Sequence, residues 1–221
     1  MTETAGERES ELSFWGWGYS HKIPDDEERR ELAEMVEAYL GFPERPMLDM
    51  PTIEDADVPP SSVEPPFSFC TTDDTVRAHH TYGKGYRDLV RGFHGDFSSA
   101  PDAVARPDSE DEVSELLEWA TENNVAVVPF GGGTSVVAGI ECEGDGFEGV
   151  VSLDVRNLDE VLEVDSTSRS ARIQAGATGP HLQEQLDEHG MQLRHYPQSY
   201  EFSTLGGWLA THAGGHFATV Y

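Results

Sequence analysis

Lysine is nearly missing from this 221-residue chain: only Lys22 and Lys84 occur, and 14 basic residues in all stand against 42 acidic ones. The resulting formal net charge of −28 repels nucleic acid and anionic membranes, so neither is an expected partner. No run of about 18 apolar residues exists, which excludes a predicted membrane-spanning helix. Residues 1–13 are polar and acidic and lack the basic, then apolar, then small-residue order of a secretory signal. Two cysteines, Cys70 and Cys142, are too few and too far apart for a disulfide framework, a C-x-x-C motif or a zinc site. They are expected to be reduced thiols in a cytoplasmic protein. No internal repeat occurs. The acids are scattered along the chain, which fits the solvated surface of a halophilic protein better than a docking site for a basic partner.

What is present falls into three parts. Residues 1–66 read as an N-terminal extension. It contains Phe14-Trp15-Gly16-Trp17-Gly18-Tyr19, then a helix over 25–40 with Pro24 at its start and Gly41 at its close, then a proline- and acid-rich arm over 42–66. Residues 67–100 form a connecting segment that holds the only locally basic stretch, with Arg77, His79, His80, Lys84, Arg87, Arg91 and His94. It reads as a solvated helix face, or alternatively as a contact with an anionic group or a partner domain.

From residue 101 onward the pattern is regular. A short strand precedes Arg106-Pro107. Ser109 and Glu112 form an S-x-x-E capping box, and Val113, Leu116, Leu117 and Ala120 then fall at helical spacing. Val125–Phe130 (VAVVPF) reads as a buried strand. Further strands are expected over 149–154, 161–165 and 170–175, and helices over 180–189 and 206–213. Thr178 caps the first of these helices and Gly190 follows it. The mixture predicts an α+β fold.

The strongest single signal is Pro129-Phe130-Gly131-Gly132-Gly133-Thr134-Ser135 at a strand end. Glycines there allow positive φ and close approach of the backbone to a ligand. Consecutive N–H groups then make a concave anion site suited to a diphosphate. The spacing is neither G-x-G-x-x-G nor a P-loop. A second segment, Gln198-Ser199 through Ser203-Thr204-Leu205-Gly206-Gly207 to Thr211 and Ala213, crowds hydroxyls and small residues beside a helix start. Such a start offers free N–H groups to anions. Gln174–Thr178 is a third piece, a strand ending at Gly176. His79, His80, His195, His212 and His216 match no zinc spacing and are expected in surface or supporting roles. No metal is expected, and Trp208 is expected in a core.

These motifs, in this order, resemble the vanillyl-alcohol-oxidase-type flavoproteins with a PCMH-type FAD-binding domain. The likeness is strongest to the relatives of alkyldihydroxyacetonephosphate synthase and to FAD-linked oxidases of the glycolate oxidase D-subunit kind. It rests on Trp15–Tyr19, Tyr86–Gly92, Arg106-Pro107, Pro129–Ser135, Ala175-Gly176 and Ser199–Gly207. The resemblance implies a domain of two small α/β subdomains over 101–221, incomplete at its C-terminal end, behind a helical and extended N-terminal extension. It implies that Pro129–Ser135 wrap the FAD diphosphate. Gln198, Ser199, Ser203, Thr204, Gly206, Gly207, Thr211 and Ala213 would contact the cofactor further along. Covalent members attach the flavin through a histidine near the first loop. None lies between His94 and His181 here, so FAD is expected to be held non-covalently. Three positions depart from the family pattern: Gln198 stands for an aspartate, Tyr200 for a leucine and Gly214 for a serine.

The family's substrate domain and catalytic residues would lie beyond Tyr221, so no catalytic residue is assigned. A missing C-terminal domain or a second subunit is the implied partner, and the substrate is a small molecule. The expected activity is oxidation of a 2-hydroxy acid or a similar hydroxyl compound. Flavin-dependent alkyl transfer of the synthase kind is the alternative. A non-catalytic flavin-binding fragment or subunit of a split enzyme is the third reading.

Overall fold

The computed structural model describes Glu9 and residues 11–215; His216 and the rest of the C-terminus lie outside the described residues. Helix α1 spans Asp26–Leu40 and is capped by the Asp25 carboxylate, which accepts from the N–H groups of Glu27 and Glu28. It ends at Gly41 in the left-handed region (φ 69°), where a glycine costs least. No residue of α1 is buried. The arm that follows is extended apart from one 3₁₀ turn at Ile53–Asp55.

A four-stranded sheet carries the site. Its strands are β1 (Cys70–Thr71), β2 (Ala103–Ala105), β3 (Val125–Phe130) and β4 (Gly149–Asp154), in spatial order β1-β2-β4-β3. β1 is antiparallel to β2, while β2, β4 and β3 run parallel. Short helices α2 (Asp74–His79) and α3 (Tyr86–Phe93) precede β2, and α4 (Glu110–Glu122) links it to β3. α4 packs Leu116 and Ala120 onto Ala103, Ala105, Val125, Val151 and Leu153 of the sheet. Its start departs slightly from the expected box. Ser109 accepts from the Glu112 N–H, but the Glu112 carboxylate turns to the N–H of Asp108 rather than that of Ser109.

The strand read as buried, β3, is an edge strand. Only Val125 and Phe130 are buried along it, and Pro129 is exposed. An edge explains the proline, which has no N–H to give a further strand. The fully buried strands are β2 and β4, in the middle of the sheet.

A second small unit follows. β5 (Val161–Asp165) and β6 (Ser170–Ile173) form a hairpin, and α5 (Gly179–Asp187) and α6 (Leu205–Ala210) pack with it around Ala177, Leu182, Leu186 and Trp208. Trp208 is therefore core, as expected. The two units make the mixed α/β, PCMH-type architecture.

The basic stretch is only partly a solvated face: Arg87 and His94 are exposed, but Arg77 and His80 are not. Arg77 is buried at 1% exposure. Its guanidinium donates to the carbonyls of Pro101 (2.7 Å) and Pro59 (2.6 Å) and pairs with Asp74 (2.7 Å). Arg77 thereby staples the proline-rich arm to the entrance of β2. His80 is wholly buried as well. Of the two places expected for it, surface or supporting, His80 takes the second, inside an ion network with Asp154.

Candidate cofactor site

Three parallel strands place their carboxyl ends on one edge, with Phe130 opposite Asp154 and Ala105 opposite Leu153. Ligands of open α/β sheets sit outside such an edge. The residues that leave it here are Arg106 after β2, Gly131–Ser135 after β3 and Arg156 after β4.

Phe130 fixes the root of the glycine loop. Its ring lies 4.2 Å from the His80 ring, centroid to centroid, and the Arg156 guanidinium sits 5.3 Å from its centroid. Arg156 donates to both Asp154 oxygens (2.8 and 2.7 Å) and to Glu9 (2.6 Å). Arg106 also reaches Asp154 (3.1 Å) and Glu9 (2.5 Å), and His80 contacts Asp154 at 3.1 Å. Burial opposes ionisation of Asp154, but Arg156 beside it and hydrogen bonds from Arg156 and His80 hold its carboxyl well below the usual range. Glu9 follows the same pattern: burial pushes up, while His80, Arg156 and Arg106 prevail and lower it. Glu9, His80 and Asp154 bring ligand-type atoms within 4.8 Å of one another. Two guanidiniums already neutralise both carboxylates, so the cluster is balanced without a metal ion.

Beyond Phe130 the backbone enters the loop. Gly133 adopts φ 65°. A Cβ on Gly131 would strike the Thr204 hydroxyl, and one on Gly132 would strike the Phe202 carbonyl oxygen. The glycines therefore let the first loop lie directly against Phe202–Thr204 of the second unit. Among the described residues, the N–H groups of Gly132, Gly133, Thr134 and Ser135 donate to no acceptor, and the Thr134 hydroxyl makes no hydrogen bond. The Ser135 side chain is occupied, accepting from Gly139 at 3.0 Å, and its carbonyl accepts from Lys84 N–H at 2.6 Å. Successive free amides at a left-handed turn form an anion-binding concavity. The donor set fits a diphosphate.

The second loop is used differently from the sequence reading. Leu205 and Gly206, the first helical amides of α6, donate to the carbonyls of Ala177 (2.9 Å) and Ala175 (2.8 Å). Gly207 N–H goes to the Thr204 hydroxyl at 3.4 Å. The Ser203 hydroxyl donates to Ser199 O and accepts from the Trp208 indole at 2.7 Å. The Leu205 and Gly206 amides lock the second loop to Ala175 and Ala177, where a Cβ on Gly206 would meet Ala175, and Gly176 beside them packs against the Val155 carbonyl. Thr211 donates to Gly207 O, and Ala213 N–H to Trp208 O. Gln198 and Pro129 are exposed. Tyr200, at a departing position, donates to Gly179 O (2.8 Å) and stacks on Trp208. The structure thus brings Gly131, Gly132, Phe202, Ser203 and Thr204 into one contact, with Thr211 and Ala213 just past the end of α6.

Sequence reasoning missed Phe202, Arg156, Asp154, Glu9 and Lys84. Only the basic stretch around His80 and Lys84 gave a signal. A pocket of the glycine loop is lined by His79, Lys84, Gly132, Gly133, Thr134 and Arg156. Burial pushes the His79 imidazole down to about 4, so it is neutral at ordinary pH. An adjoining cleft of about 860 Å³ runs from Gly132 past Phe202 and Tyr19 to α5, within the size range of cofactor sites.

The sequence model of the FAD binding domain matches residues 101–221. Alkyldihydroxyacetonephosphate synthase of Dictyostelium discoideum is 44% identical over 150 residues, covering 67% of this chain and 24% of that protein. Glycolate oxidase subunit GlcD of Bacillus subtilis strain 168 is 32% identical over 119 residues, covering 54% of this chain and 24% of that protein. A solved structure of alkyldihydroxyacetonephosphate synthase matches with a TM-score of 0.82 at 33% identity, over 96% of this chain and 45% of that one. The chain spans about a quarter of the length of these curated relatives. With more than half of its residues under the family model, this chain belongs to the FAD binding domain family of FAD-linked oxidoreductases, and FAD is its cofactor.

Proposed function

We propose that this chain is the FAD-holding portion of an enzyme that oxidises a small hydroxyl-bearing substrate such as a 2-hydroxy acid, and that FAD is bound without a covalent link. One observation carries the cofactor assignment: the amides of Gly132–Ser135 have no partner among the described residues, and Gly132, Gly133 and Thr134 line a pocket at the carboxyl edge of the sheet. Bound FAD supplies hydride acceptance from a hydroxyl-bearing carbon. This chain's own residues bind and orient it. Gly132–Ser135 receive the phosphates, Ser203 and Thr204 lie against Gly132 and Gly131 of the first loop, and Gly206 and Gly207 fix the start of α6 through Ala175 and Thr204. Phe130 lines the same pocket, and Pro129, Gln198, Ser199, Thr211 and Ala213 are assigned to the cofactor on the family resemblance. No histidine stands near the first loop in sequence between His94 and His181, which supports the non-covalent reading. The likeness to the glycolate oxidase subunit supports the substrate class.

A second reading is alkyl transfer of the alkyldihydroxyacetonephosphate synthase kind. It is favoured by the solved synthase matching 96% of this chain, including the N-terminal extension, whereas the oxidase subunit matches 54%. The assay that separates the two uses the enzyme with its substrate domain. Reduction of a dye acceptor by 2-hydroxy acids supports the first reading. Inertness toward them, with exchange of a fatty alcohol for a fatty acid on an acyl dihydroxyacetone phosphate, sinks it.

A further inference from the structure

The glycine-loop pocket contains one charge that no described residue pairs with. Lys84, one of two lysines in the chain, enters through a fixed backbone: its N–H donates to Ser135 O at 2.6 Å. Gly83 beside it lies so close to the Ser135 carbonyl that no Cβ fits. The turn at 83–84 is therefore pinned to the end of the glycine loop, and Lys84 lines the same pocket as Gly132, Gly133 and Thr134. Its ammonium forms no ion pair or hydrogen bond among the described residues. Asp88 attracts it, but that carboxylate accepts from the Gly85 N–H instead. The other cation of the pocket, Arg156, is committed to Glu9 and Asp154, and His79 is neutral.

An ammonium withdrawn from water without a counter-ion is costly. Burial draws Lys84 down to about 8. In a chain with three acids for every base, leaving this cation alone is unexpected for a merely structural residue. The adjoining cleft is walled by Glu11, Glu184, Glu188 and Glu201 and repels an anion. The doubly negative part of a dinucleotide is thereby directed to the free amides beside Lys84. We propose that Lys84 is the charge partner of the cofactor's diphosphate, completing the anion site that the Gly132–Ser135 amides begin. This rests on the FAD assignment above and adds to it a residue that the glycine motif does not contain.

The test is a titration of the flavin-free 221-residue chain with FAD and with riboflavin, which lacks phosphate, followed by flavin fluorescence. Lys84→Met is expected to weaken FAD about tenfold to a hundredfold, the range of a lost charge-assisted hydrogen bond. Riboflavin binding should be unchanged, and Lys84→Arg should recover most of the FAD affinity. Flavin-free Lys84→Met should also resist urea better than wild type, since an unpaired charge has gone. Lys84→Gln replaces the methionine variant should that one fail to fold, and the contrast with Lys84→Arg decides the matter if riboflavin binds too weakly to measure. The proposal is overturned by a Lys84→Met chain that binds FAD as wild type does, or that loses FAD and riboflavin to the same degree. A wild-type chain that binds neither flavin overturns the cofactor assignment itself.

Discussion

Gly132 lies against the carbonyl oxygen of Phe202, with no room for a Cβ between them. This contact joins the two units and holds the glycine loop in the shape that leaves its amides free. Gly132→Ala must push the loops apart, at a cost of about 1–3 kcal/mol for overpacking. We expect a lower urea midpoint and weaker FAD binding together. Gly214→Ala, where nothing lies within 4 Å of an added Cβ, should change neither. Paired unfolding and flavin titrations of both variants check this.

Asp154 is wholly buried and receives Arg106, Arg156 and His80. Replacing it with asparagine leaves two guanidiniums short of a counter-charge at the root of the loop. Removing one partner of a buried ion pair costs about 3–5 kcal/mol. Equilibrium denaturation of Asp154→Asn should show a loss of that size, and a loss under 1 kcal/mol, on the order of an exposed pair, contradicts the assigned role.

The same network sets the response to acid. Asp154 and Glu9 have folded pKa values below their unfolded ones. Their contribution is therefore fully present above the unfolded carboxylate values, near 4, and is lost as pH falls through the lower folded values. Stability of wild type should decline steeply below about pH 4, and Asp154→Asn should flatten that decline. Urea midpoints measured from pH 6 down to pH 3 give the slope.

Burial pushes both the Cys70 and Cys142 thiols up to about 12. Few thiolates then exist at pH 8, and the thiolate is the reacting form. Ellman's reagent should label the folded chain slowly and both thiols promptly in urea. Rapid labelling of the native chain at both sites contradicts the described burial.

The net charge of −28 predicts self-repulsion that salt relieves. The melting temperature should rise between millimolar and molar potassium chloride. A midpoint that does not move removes the salt-adapted reading.

The sequence disclosed the loop better than its surroundings. Gly131–Gly133 and the α4 cap at Ser109 are local signals, set by backbone freedom and by a three-residue spacing, so they survive without tertiary context. The status of β3 as an edge was not legible, because an apolar run looks the same whether or not another strand covers it; only Pro129 hinted at it. Glu9 and Arg156 were invisible for a different reason: 147 residues separate them along the chain. A buried ion network has no periodicity to read. The start of α6 misled because Leu205 and Gly206 resemble free helix-end donors until Ala175 and Ala177 are seen accepting from them.

The most direct check is the visible absorption of the purified chain before and after acid precipitation. Flavin bands in the native protein, leaving the pellet colourless and the supernatant yellow, are the expected result. A folded chain that stays colourless when FAD is added at excess contradicts the central claim that the Gly132–Ser135 amides receive a dinucleotide.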